Sequence, residues 1–356
     1  MNIKEKIKKI IDHFWKYSDD FAYETLFNRD GKPFENEHPE FIDDKINNSF
    51  IFDNKKWLHS EYIKHLTKKI IIEPDYTYSI TDFNRIILSG AFYPALKPSV
   101  PRYLFSKFKK KKKYNSVIIF DGQVGTNYFH FFSDVLHKIW LFEKIPDAEK
   151  LPVIIGEKTF NTLFFQHILN NTFIKKFNWV VQKKHDYITA DSVYFIRPYP
   201  YDKEYFKKTK RLVLEEDENN SQRNVFLNRS IKTGRFIENF TEIIPILEKY
   251  DFEIIDTAGA DFKYQIELFS GVRNLISIHG AGNTNIMFSK PGLRFLELLP
   301  GNRLSSHYYW LATVLNISYY NVICGNDLPF TNKYPEKGFF LDPFKFENAV
   351  RSLLGK

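Results

Sequence analysis

An α/β protein built in two halves is the fold class this sequence predicts, on three observations. From Ser116 onward, short apolar runs alternate with segments of helical period, the signature of parallel strands joined by helices. The alternation is broken once, by Glu215–Ser221 (EEDENNS), a charged and polar stretch without an apolar residue. The 356 residues are also more than one ordinary domain needs. These features divide the chain into residues 1–115, an N-terminal extension belonging to the first domain, residues 116–215, the first α/β half, and residues 216–356, the second.

The extension opens with Ile3, Ile7, Ile10, Ile11, Phe14 and Trp15 on a helical period, with Lys4, Lys6, Lys8 and Lys9 between them. Such a basic amphipathic helix either packs on its domain or lies on an anionic membrane surface. Prolines punctuate residues 30–101, and no motif is assigned there. Lys109–Lys113 is a run of like charges that repel one another, which places it in a solvated loop, the second point where an anionic membrane would make contact.

In the first half, Ser116–Phe120, Leu151–Ile155, Trp179–Val181 and Ser192–Ile196 read as strands, and Phe129–Lys144 and Thr159–Asn170 as helices. In the second half, the predicted strands are Asn224–Leu227, Phe252–Asp256, Asn274–His279, Arg294–Leu299 and Ser318–Ile323. The intervening helices are Ile237–Tyr250, Lys263–Ser270, a helix starting at Asn283, and Leu304–Leu315. Five strands alternating with four helices form a doubly wound sheet. Pro343–Leu354 is a last helix able to pack on either half. Two such sheets joined by a linker put a cleft between the domains.

Composition narrows the function. Cys324 is the only cysteine, which excludes an intramolecular disulfide and a thiolate metal cluster and predicts a reducing, cytoplasmic setting. No apolar core of a secretory signal follows the basic start, and no stretch reads as a membrane span. The net charge of +8 rests on 39 Lys and 12 Arg, so the lysines read as surface and the scarce arginines as the specific anion contacts. Nucleic acid is not expected as a partner, because no zinc finger, RRM-type aromatic signature or second basic stripe is present. The G-x-S-x-G elbow, HExxH and kinase motifs are likewise absent.

Glycines gather late: Gly271, Gly280, Gly282, Gly292 and Gly301 lie close together in a glycine-poor chain. At their centre His279-Gly280-Ala281-Gly282-Asn283-Thr284-Asn285 turns a strand into a helix, whose free N–H groups suit an anion such as a diphosphate. His279 stands at the carboxyl end of its strand, where ligands bind in such sheets, and is either a ligand contact or a structural histidine. Glu297, inside the next apolar strand, needs a partner: an ion pair, or a ribose or sugar hydroxyl. Arg229 closes the first strand of this half and is the best phosphate clamp in the chain, with Lys232 and Arg235 beyond it. In the first half, Thr126 or Asn127 caps a helix carrying His130 and Asp134 at i and i+4, on one face. A carboxylate that orients an imidazole is a general-base arrangement. His137 supplies too few further ligands for a metal, and none is expected.

These stretches together resemble glycosyltransferase family 61, which includes bacterial capsule-biosynthesis proteins, plant wall pentosyltransferases and eukaryotic O-linked N-acetylglucosamine transferases. The resemblance is carried by Asn127-Tyr128-Phe129-His130-Phe131 with Asp134, by Arg229 with Arg235, and by Gln265-Ile266-Glu267-Leu268-Phe269. Most of it lies in Ile278-His279-Gly280-Ala281-Gly282 with Thr284-Asn285, Pro291-Gly292 and Glu297. One departure is the order Glu238-Asn239 after Arg235, the reverse of the family's. The resemblance implies a GT-B architecture, with two Rossmann-like domains facing across a cleft and the nucleotide sugar, UDP-linked, held mainly by the C-terminal one.

It further implies inverting transfer to a hydroxyl of a glycan or lipid-linked glycan, in capsule or surface-polysaccharide synthesis, without an essential metal. His130 is then the base oriented by Asp134, with Asp134 itself as the alternative base, and Asn127 and Tyr128 lie on the acceptor side. Arg229, Lys232, Arg235, Gln265, His279, Gly280, Ala281, Gly282, Asn283, Asn285 and Glu297 would hold the donor. The competing reading is a scaffold of a polysaccharide assembly complex that keeps the fold without catalysis.

Overall fold

The computed structural model describes residues 13–31, 59–90, 96–122, 124–214, 221–229, 231, 235–301, 305–325 and 338–356. The described residues form two compact units, one ending at Pro200 and the other beginning at Tyr201. The predicted amphipathic helix up to Ile11, the linker residues 215–220, and Lys232 lie outside the described residues.

Ten strands make one mixed sheet in the first unit: β1 (Lys16–Ser18), β2 (Glu24–Arg29), β3 (Glu61–Leu66), β4 (Ile70–Ile72), β5 (Ser79–Thr81), β6 (Arg85–Ile87), β7 (Lys112–Ile119), β8 (Pro152–Gly156), β9 (Asn178–Gln182) and β10 (Ile188–Arg197). Its centre is parallel, in the order β10-β7-β8-β9. Of these, β7, β8 and β9 carry short continuous Val/Ile runs, as expected where both faces are covered. The long strand β10 then pairs antiparallel with β3 and β4, and β4, β5 and β6 continue the sheet as short antiparallel strands ending at β1.

The described part of the extension is thus mostly strand. The helical period does not continue through Trp15: its indole is buried and donates to the Pro98 carbonyl at 3.0 Å, beside Tyr78 and Tyr103, and β1 begins at the next residue. The lysine run is not all loop. Lys112 and Lys113 open β7, paired with Ile188 and Thr189, and Lys113 bonds Asp191 at 3.1 Å. Strand pairing satisfies the backbone there while the ammonium groups stay in water, so like charge does not prevent it.

The second unit holds β11 (Arg223–Leu227), β12 (Glu253–Ile255), β13 (Val272–Ile278), β14 (Arg294–Pro300) and β15 (Ser318–Cys324), all parallel, in the order β12-β11-β13-β14-β15. Helices Phe240–Lys249 and Pro343–Leu354 close one apolar face, burying Ile243, Leu247, Phe346 and Val350 against Phe226, Ile276, Leu296 and Val322. Tyr309, from helix His307–Leu315, packs its ring 5.4 Å from that of Tyr319 in β15. Helix Lys203–Val213 lies ahead of the polar stretch at 215–220 but groups with this unit, where Lys210 Nζ donates to the Ser289 carbonyl at 2.6 Å. The chain leaves β11 for the sheet edge and returns on its other side as β13, so the order reverses between these neighbours. That is the point where open parallel sheets bind ligands, beyond the strands' carboxyl ends.

Candidate active site

In the first unit the predicted Phe129–Lys144 helix is present as three geometries in succession. One α-turn spans Tyr128–His130, a π-turn Phe131–Val135, and a 3-10 stretch Leu136–Lys144. Asn127, not Thr126, is the cap: its Oδ1 accepts the His130 N–H at 3.3 Å. Wide π-turns recur at functional sites, and this one carries Asp134, with His130 at its N-terminal boundary. Nδ1 of His130 lies 2.7 Å from Oδ2 of Asp134. Asp134 is nearly buried, whereas the imidazole keeps 20% of its surface. A carboxylate accepts a hydrogen bond from Nδ1–H, which leaves Nε2 as the lone-pair nitrogen. Tyr128 is half-buried, its ring 4.9 Å from Phe132 and 5.3 Å from Phe164.

A small pocket of about 40 Å³ opens beside Asp134, lined also by Asp121, Lys138, Tyr62, Ser89 and Arg197. Lys138 is buried and donates to the carbonyls of Phe120 at 2.8 Å and Asp121 at 3.2 Å. Burial pushes its ammonium down to about 8, with Asp121 and Asp134 acting in the opposite direction. The Asp121 carboxylate is buried and accepts from the backbone of Gly122 and Gly156 and from the Thr159 hydroxyl, at 2.7, 2.9 and 3.1 Å. Burial raises its pKa against those bonds and Lys138. Gly125 and Gly156 leave it room, because a Cβ at either would collide with its oxygens. Sequence reasoning missed this group, although His130, Asp134 and Lys138 follow one another at i+4 and Asp121 ends a strand before a glycine.

In the second unit, Arg229 follows β11 and His279 follows β13, at the reversal of strand order. Arg229 and Arg235 both donate through Nη1 to the His279 carbonyl, at 3.1 and 3.0 Å. Arg235 does so in a left-handed conformation, φ 54°, which a non-glycine residue adopts at a cost of about 1–3 kcal/mol. Two guanidinium groups converging on one oxygen create a strongly positive point that favours an anion. Gly280 is needed here for space rather than for turning: its φ of 175° is ordinary extended backbone, but a Cβ would fall on Arg229 Nη1. Gly282 is less constrained, since a Cβ there meets Leu227 at 3.4 Å and Thr257 at 3.9 Å, both ordinary contacts. The helix beyond is a 3-10 helix, Ala281–Phe288.

His279 itself is buried, its ring turned away from the arginines toward Glu297, with Nδ1 2.6 Å from Oε1. The other Glu297 oxygen accepts the hydroxyl of Tyr319. Glu297 thus has His279 and Tyr319 as its buried partners. Asn283 extends this buried network, accepting from Ser277 and lying 3.5 Å from Glu297 Oε1. Gln265 receives the Asn285 amide at 2.9 Å and donates to the Ala260 carbonyl at 3.1 Å, joining helix Phe262–Ser270 to the glycine turn. Asn239, of the reversed pair, ties the chain to Leu341 through both its amide and its carbonyl. Tyr319 carried no signal in the sequence, because its hydroxyl finds Glu297 only through strand pairing.

Among the described residues no three His, Cys, Asp or Glu side chains gather as a metal site, and no helix is long and apolar enough to cross a membrane. Residues 128–296 match the family model described as Glycosyltransferase 61. The matched stretch takes in His130, Asp134, Arg229, Arg235 and the glycine turn, and ends one residue before Glu297. Over these residues the chain is similar to glycosyltransferase family 61, and the similarity supports, in general terms, a glycosyltransferase. No curated protein shows significant similarity to it.

Proposed function

We propose that the protein transfers a sugar from a nucleotide donor, UDP-linked, to a hydroxyl of a glycan or lipid-linked glycan, by a single inverting displacement. Assembly of a capsule or surface polysaccharide at the cytoplasmic side of a membrane is the setting, and the two units act as the acceptor and donor domains of a GT-B enzyme. The observation that carries the reading is the convergence of Arg229 and Arg235 on the His279 carbonyl, next to Gly280, at the reversal of strand order.

His130 takes the acceptor proton on Nε2 while Asp134 holds Nδ1–H and balances the imidazolium charge that develops. The deprotonated oxygen attacks the anomeric carbon from the face opposite the diphosphate, so configuration inverts. Asp134 is the weaker candidate for the base, because it is nearly buried and already engaged by His130. Charge on the departing diphosphate is met by Arg229, Arg235 and the backbone N–H groups following Gly280, in the role a divalent cation has elsewhere. The buried His279, Glu297 and Tyr319 keep the arginine-bearing carbonyl in place.

A panel of nucleotide sugars, screened for thermal stabilisation and for slow hydrolysis with and without EDTA, tests this. A UDP-sugar should stabilise the protein and turn over equally in both conditions. Absence of stabilisation by every nucleotide would overturn the donor assignment, and loss of turnover in EDTA would overturn the metal-free mechanism.

A further inference from the structure

The second unit has another concave site, at the opposite edge of its sheet. A pocket of about 350 Å³ is bounded by Ser289–Gly292 and by Asn316 and Ile317, the segments that lead into β14 and β15. Arg229 and His279 follow the carboxyl ends of their strands, whereas this pocket lies at the amino ends. In a parallel sheet those are opposite edges, about 20 Å apart for seven-residue strands. A ligand here does not occupy the diphosphate site.

Its lining joins two kinds of surface. Lys203, Lys207 and Lys210, on one helix, and Lys290, across from them, bring ammonium groups to it, and none of the described lining residues is acidic. Lys207 also bonds Glu204 at 2.8 Å, and Lys210 is anchored on the Ser289 carbonyl. Beneath the lysines the lining is apolar, with Phe206, Ile286 and Met287 buried behind it and Leu315 and Ile317 keeping accessible surface. Ammonium groups are compact, strongly hydrated point charges that suit phosphate oxygens, and the described lining residues include no arginine, although the Arg273 guanidinium packs behind Gly292. The volume lies in the range of organic ligands, about 300–1,000 Å³, far beyond a bare phosphate ion, which would leave the apolar walls wet.

We propose that this pocket binds the phosphate head and adjoining acyl segment of an anionic lipid, the lysines taking the phosphate and the accessible faces of Leu315 and Ile317 taking the hydrocarbon. The site is separate from the donor site, and the proposal goes beyond the transferase reading without depending on it.

Calorimetric titration of the full chain with dihexanoyl phosphatidic acid, below its aggregation concentration, tests the assignment. Dihexanoyl phosphatidylcholine and inorganic phosphate are the comparison ligands. The phosphatidic acid should bind at least about tenfold more tightly than either, and high salt should weaken it. The double variant Lys207→Glu/Lys290→Glu should lose at least about tenfold in this affinity while its stabilisation by nucleotides stays unchanged. Acetylation footprinting of the unmodified protein is the second measurement: phosphatidic acid should protect Lys203, Lys207 and Lys290 and leave Lys249 reactive. Equal binding of inorganic phosphate, undiminished lipid affinity in the double variant, or absence of protection would each overturn the proposal.

Discussion

Glu297 on β14 holds Nδ1 of His279, at the end of β13, across 2.6 Å, with both side chains buried. The pair is made by neighbouring parallel strands in register, Ser277 opposite Glu297, and is completed by Tyr319 from β15, so three adjacent strands share one charge network. Removing Glu297 leaves a buried imidazole and a buried phenol without their acceptor. Glu297→Ala should therefore destabilise the protein by about 3 kcal/mol, and Tyr319→Phe by about 1 kcal/mol. Urea unfolding of both variants checks this. Midpoints equal to that of the unmodified protein would show that the network adds nothing to stability.

Gly280 separates folding from binding. Its backbone is extended and accepts any residue, so Gly280→Ala should cost about 1 kcal/mol or less, since only the flexible end of Arg229 must move. Displacing that guanidinium from the His279 carbonyl should nevertheless abolish stabilisation by nucleotide sugars. Thermal shifts with and without donor distinguish the two effects, and a variant that still responds fully to donor would remove Arg229 from the site.

The His130–Asp134 pair makes a kinetic prediction. His130→Ala should lower kcat by about 10²–10⁴-fold while stabilisation by the donor persists. Asp134→Asn should lower it too, since an amide neither fixes the Nδ1–H tautomer nor balances the imidazolium. Steady-state rates with a responsive donor and acceptor decide the matter. Unchanged turnover in both variants would place the base elsewhere.

Lys138 makes a pH prediction. Lys138→Met should destabilise the protein by about 3 kcal/mol near neutrality, because the buried Asp121 and Asp134 lose a cation. The folded-state value of about 8 lies below the ordinary lysine value of 10.5, so between them the unfolded chain carries more protons. The contribution of Lys138 to stability must then rise with pH across that window. Denaturant melts at pH 7 and pH 9.5 should show the gap between unmodified protein and variant widening. A gap that narrows would contradict the placement of this ammonium.

Much of the site was legible because its signals are local. The spacing of His130 and Asp134 encodes a shared helix face, and the Gly-Ala-Gly turn after an apolar run encodes a strand end. The reason assigned to Gly280 was different, however: a turn suggests conformational freedom, but the residue is extended and small because Arg229 needs its space. The π-turn was not legible, since a helical period does not reveal one added residue between Phe131 and Val135.

By itself the sequence determined the α/β class, the strands of the second unit and its helices beyond β11 to within a few residues, and the identity of the chemically distinctive side chains. Those features depend on repeats of two and of three to four residues, which are written along the chain. Tertiary structure alone decided that the N-terminal strands complete a mixed sheet, that helix Lys203–Val213 joins the second unit, and that Tyr319, Lys138 and Asp121 belong with the predicted residues. Each depends on pairing between distant segments, such as Gln182 with Ile72 or Asp121 with Gly156. Such contacts are selected by burial and hydrogen-bond satisfaction over the whole fold, which no local period records.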